Sequence, residues 1–172
     1  MRTTKFNVYD EDGLFSVVNV QQYKTFVNEN WTLDRLFEHF VNEMNDQHMI
    51  IWRTANDGGG DWTIEVLEQP TGKSCFRSFN KTIEVTGGEL YLVNYTDLTM
   101  AAQFDDVALP SKENADWKIN IENGIYTVTV RQMFDPEHYD YDKTDSTAFE
   151  IIFDKAKAGG NRTASKVFWW EQ

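Results

Sequence analysis

Apolar and polar residues alternate through much of the segment from residue 80 to 134, the period of a strand with one buried and one wet face. In 125–130, Ile125, Thr127 and Thr129 oppose Tyr126, Val128 and Val130. Gly87-Gly88, Pro110-Ser111 and Glu122-Asn123-Gly124 punctuate the runs, the last being a strong hairpin signal. The segment therefore predicts an antiparallel meander.

Before it, Phe6 and Val8 predict a strand, Asp10-Glu11-Asp12-Gly13 a turn, and residues 14–20 a second strand. Tyr23, Phe26 and Val27 suggest a short helix within 21–30. Leu33, Leu36, Phe37, Phe40, Val41 and Met44 form one apolar stripe, predicting a helix over 33–45. Thr32 suits its N-cap, Asp34 its first turn, and Asn45-Asp46 its end. Residues 49–54 and 62–67 read as a hairpin around the loop 55–61, with Trp52 facing Trp62. Gln69-Pro70-Thr71-Gly72 breaks the chain, 149–153 predicts a buried strand, Gly159-Gly160 a turn, and 166–170 a final strand. The expected fold is α+β, mainly antiparallel β: a β-sandwich-like core with helix 33–45 packed against it, residues 1–172 forming a single domain.

Charge adds what the pattern does not say. The 172 residues carry 16 basic and 28 acidic side chains, a net charge of −12. Such a surface repels nucleic acid phosphates and anionic lipid and attracts a basic protein partner, with a nuclease or toxin as the expectation. No apolar run suits a membrane span, and the N-terminal residues lack the apolar core of a secretory signal, so a cytoplasmic home is expected. Cys75 is the sole cysteine, which excludes an intrachain disulfide and a cysteine-rich zinc site. Composition leaves the oligomeric state open.

Candidate chemistry is sparse. Thr71-Gly72-Lys73-Ser74 lacks the earlier glycine of a phosphate-binding loop, since that position is Leu67. Gly58-Gly59-Gly60 lies between strands and reads as a loop. Asp140 and Asp142 open like a calcium loop, but its sixth and twelfth positions are Asp145 and Ile151. His39, His48 and His138 fall in no catalytic spacing with Cys75 or a serine. No catalytic residue, cofactor or metal is therefore expected.

What stands out is 135–145, where five acids and one lysine fall within 11 residues. Asp135, Glu137, Asp140 and Asp142 would pair with a partner's Lys or Arg, and Tyr139 and Tyr141 would serve as rigid anchors. Asp105-Asp106 and Asp10-Glu11-Asp12 are further acidic points, whose weight depends on whether the fold gathers them. Two other classes stay open: a carbohydrate-binding module using Trp31, Trp52, Trp62, Trp117, Trp169 and Trp170, and a small hydrolase.

The series Val85-Thr86-Gly87-Gly88-Glu89-Leu90-Tyr91-Leu92, Ala102-Gln103-Phe104, Leu109-Pro110 and Asn123-Gly124-Ile125-Tyr126-Thr127-Val128 resembles the bacterial competence-associated nuclease inhibitors and related small acidic immunity-type proteins. The resemblance covers about a third of the chain and transfers no individual site residue. It implies inhibition of a partner nuclease or toxin by occlusion, without catalysis, in agreement with the charge.

Overall fold

A computed structural model describes residues 3–138, 146–156 and 163–171. Its strands are β1 (Thr4–Asp10), β2 (Leu14–Val18), β3 (Met49–Arg53), β4 (Gly60–Leu67), β5 (Arg77–Val85), β6 (Glu89–Asn94), β7 (Lys118–Asn120), β8 (Gly124–Gln132) and β9 (Phe149–Lys155). Its helices are α1 (Leu33–Asn45) and α2 (Tyr95–Gln103). A five-stranded sheet runs β1-β4-β9-β8-β5 and a four-stranded sheet β3-β2-β6-β7. All pairings are antiparallel except β4 with β9. The α+β class and the mainly antiparallel sandwich expected from the pattern are thus present.

The alternation explains the layers. Val8, Ile64, Ile83, Val128 and Ile151 of the larger sheet meet Phe15, Val17, Ile50, Trp52 and Leu92 of the smaller one in the central core. Because β2, β3 and β6 are covered on both faces, they read as nearly continuous apolar runs. Leu14, Val18, Met49, Ile51 and Val93 form a second core with Leu36, Phe40 and Met44 of α1 and Leu98 and Ala102 of α2. Thr32 caps α1, its hydroxyl accepting from the Arg35 amide at 3.4 Å.

Several expectations change. Among the described residues the turns are where the sequence puts them, but many carry the chain between sheets, and the Gly159-Gly160 turn lies outside the described residues. The 49–54 and 62–67 segments do not form a hairpin, because β3 and β4 lie in different sheets. Trp52 and Trp62 each pack against Phe149, with ring centroids at 5.9 and 5.8 Å. The Asn-Gly turn likewise links β7 to β8 across the sandwich, the Asn123 side chain accepting from the Gly88 amide at 2.7 Å. The meander is interrupted by α2, which begins where the Asn94 side chain accepts from the Asp97 amide at 3.0 Å. Residues 21–30 contain no helix. Tyr23 is instead buried in the second core, and the amides of Val27 and Asn28 donate to the Ala102 carbonyl.

Residues 166–170 form a strap rather than a full strand. The Arg53 amide donates to the Phe168 carbonyl at 2.9 Å, and a single parallel bridge joins Phe168 to Trp52. The Phe168 ring stacks on Phe79 with centroids 3.9 Å apart. The strap thereby covers β3, an edge of one sheet, beside β5, an edge of the other. Phe168→Ala is expected to lower the free energy of unfolding by about 2–3 kcal/mol, below the range for a fully buried phenylalanine because this ring is half-buried. Urea unfolding of the two proteins checks it.

Candidate functional site

Asp10 closes β1, and its buried carboxylate organises one end of the sandwich. It accepts from the Thr54 hydroxyl at 2.6 Å, the Trp62 indole N–H at 3.3 Å and the Gly13 amide at 2.9 Å. Burial pushes this carboxyl above its ordinary value, opposed by those hydrogen bonds. Gly13 has a φ of +75°, and a Cβ on Gly59 would lie 1.8 Å from the Asp10 carbonyl oxygen. The glycines of both turns are what let loop 54–59 close over the 10–13 turn.

That closure gathers exposed acids. Glu11 and Asp12 stand on the turn, Asp57 on the loop and Asp61 at the start of β4, all exposed. Glu137 reaches the same loop, where its carboxylate accepts from the Asn56 amide at 3.2 Å. Asp135 accepts from the Glu137 amide at 3.0 Å and pairs with His138 at 2.8 Å. The His138 bond holds its carboxyl below the ordinary value, assisted by the Glu137 amide.

The cations at this end face inward. Arg53 donates to the Ala55 and Asn56 carbonyls and lies 4.5 Å from the Trp170 ring centroid. Arg77 donates to the Gln132 side chain at 2.6 Å and lies 4.2 Å from the Trp169 ring centroid. Burial lowers the Arg77 value, while Glu171 and Asp135 oppose that shift.

The structure thus joins Asp135 and Glu137 to the 10–13 turn. Tyr139, Asp140, Tyr141 and Asp142 lie outside the described residues. Asp105 and Asp106 are exposed but follow the last turn of α2, whereas Asp12 meets Thr96 in its first turn. Nine helical residues place them about 13 Å apart along the helix axis, so this pair stands apart from the acidic end.

Sequence reasoning missed Tyr9, Asp57 and Asp61. Tyr9 is 49% exposed and donates its hydroxyl to Glu11 at 3.1 Å, and that bond is the largest cause raising its pKa. The available signal was phase: with Phe6 and Val8 inward, Tyr9 has to face outward.

The rival chemistries find less here. Trp52 and Trp62 are buried, and none of the six tryptophans is fully exposed. Among the described residues no hydrogen bond joins a histidine to a serine or cysteine; His39 meets the Lys24 carbonyl, His48 meets Glu43, and His138 meets Asp135. No helix among them is long and apolar enough to cross a membrane.

No family model matches the chain, and no curated protein matches its sequence. Among solved structures, a protein described as crocagin biosynthetic gene J matches with a TM-score of 0.60 at 10% identity, covering 91% of this chain and 100% of its own. That likeness is one of fold. ComJ from Bacillus subtilis, described as an inhibitor of the DNA-degrading activity of NucA, matches at 10% identity over 90% of this chain and 93% of its own. The competence-associated inhibitor that the sequence resembles is therefore matched at the structural level. Its TM-score of 0.44 adds no argument for function.

Proposed function

We propose that this chain is a non-enzymatic acidic binding protein that inhibits a basic partner, a nuclease or toxin, by occupying its cationic cleft. The observation that supports this is the acidic end: Glu11, Asp12, Asp57, Asp61, Asp135 and Glu137 lie on neighbouring turns and loops and at the start of β4, while Arg53 and Arg77 are turned against tryptophans. The charge arrangement supports the reading without either structural likeness. Tyr139, Asp140, Tyr141 and Asp142, which follow His138 in the sequence, are proposed as further partner contacts. Tyr9 is its rigid aromatic anchor. Asp105 and Asp106 form a secondary contact, and neither nucleic acid nor membrane is the ligand.

The test is inhibition of a panel of purified cationic endonucleases and ribonucleases. Asp57→Lys with Asp61→Lys, and separately Asp140→Lys with Asp142→Lys, are expected to raise the inhibition constant at low salt by about tenfold or more, because like charges then face the partner. Asp105→Lys with Asp106→Lys is expected to have the smaller effect. A panel left uninhibited, or reversed variants that inhibit like the wild type, would overturn the proposal.

A further inference from the structure

We propose that Glu43, Asp46 and His48 form a zinc site at the carboxyl end of α1, remote from the acidic end. One donor atom from each lies within 4.8 Å of the others. The corner carrying them is fixed from several sides. The Asp46 amide donates to the Asn42 and Met44 carbonyls, and the His48 amide donates to the Glu43 carbonyl at 3.0 Å. Gln47 between them has a φ of +64°, and its side chain donates to the Thr82 hydroxyl at 3.1 Å. The His48 carbonyl accepts from the Asn19 amide at 2.8 Å. The backbone that carries the three ligands is thus set before a metal arrives.

The charge also asks for a cation. The Glu43 carboxylate is buried, and among the described residues no lysine or arginine side chain pairs with it. It accepts from His48 Nδ1 at 2.8 Å and from the Lys24 amide at 3.1 Å. The carbonyl end of α1 adds partial negative charge at the same place.

A second observation comes from Tyr23. Its hydroxyl is buried without a hydrogen-bond partner. Tyr23 immediately precedes Lys24, whose amide donates to the Glu43 carboxylate at 3.1 Å. A metal-bound water beside Glu43 is a group such a hydroxyl would bond.

The geometry suits zinc. Zinc bonds of about 2.0–2.2 Å at tetrahedral angles place neighbouring donors about 3.3 Å apart. The Glu43–His48 contact therefore has to open by only about 0.5 Å when zinc replaces the shared proton. Three protein donors leave the fourth position for water, and the imidazole favours zinc over calcium or magnesium.

Calorimetric titration of the chelator-treated full chain with zinc chloride tests the site. The expected result is one zinc per chain at micromolar affinity, with a higher melting temperature. Asp46→Asn is an exposed change that leaves the fold intact, and His48→Gln retains a donor for Glu43; each is expected to weaken zinc binding at least about tenfold. His138→Gln is expected to change nothing. Absence of saturable binding by the wild type, or wild-type affinity in both corner variants, would overturn the proposal.

Discussion

Replacing Asp10 with alanine is expected to lower the free energy of unfolding by about 3–5 kcal/mol, although one small side chain is removed. The loss comes from what Asp10 satisfies: the Thr54 hydroxyl, the Trp62 indole N–H and the Gly13 amide all point at its carboxylate. Each would be left in the interior without an acceptor, and the loops carrying Glu11, Asp12 and Asp57 would lose their common anchor. The pH dependence has a definite sign. Burial raises the folded-state value above the ordinary 3.8, so the native protein takes up this proton before the unfolded chain does. Asp10 thus contributes stability below 3.8 that is lost as pH rises through the raised folded value. The wild-type advantage over Asp10→Asn should therefore shrink as pH rises through that window. Urea unfolding at a series of pH values measures it, and an advantage that grows with pH would contradict this reading.

Arg131→Met is expected to cost a similar amount, about 3–5 kcal/mol, because it strands a buried charge. Arg131 pairs in register with Glu150 across β8 and β9 on the outer face of the larger sheet. Residues 71–73 lie over that pair. The Thr71 hydroxyl donates to Glu150, while Arg131 donates to the Thr71 carbonyl at 3.3 Å and the Lys73 carbonyl at 2.5 Å. Without the guanidinium, the Glu150 carboxylate is left at 1% exposure without its cationic partner, and the covering segment loses two ties. Arg131→Met with Glu150→Leu should recover part of the loss, because no charge is then left uncompensated. A single-mutant loss below about 1 kcal/mol would show that water reaches Glu150 freely.

The sequence speaks clearly where a signal is local. Helix 33–45 was legible from a stripe, a cap and an end that all agree, and the inward set of β8 from strict alternation. Sheet membership was not legible. A turn such as Asn123-Gly124 states that the chain reverses, yet it cannot state whether the next strand joins the same sheet or the facing one. Helix α2 was hidden because its short apolar set, Leu98, Ala101 and Ala102, sits inside a longer run of alternation, and only Asn94 with Asp97 betrays its start.

The candidate site divides in the same way. Asp10-Glu11-Asp12 and 135–137 were visible as acidic points, but what joins them is an amide of Asn56, a residue with no chemical signature of its own. Asp105 and Asp106 looked equivalent in sequence and lie at the other end of α2. The Glu43-Asp46-His48 corner was invisible because its three donors converge only after Gln47 turns the chain.

The central claim is that a concentrated anionic end recognises a cationic protein through long-range attraction. Stopped-flow association with a nuclease that the chain inhibits, followed from low to physiological ionic strength, tests it most directly. The expected result is an association rate that falls steeply with salt while dissociation changes little, with the slope flattened in Asp57→Lys with Asp61→Lys. An association rate indifferent to salt, or a slope unchanged by the charge reversal, would contradict the claim.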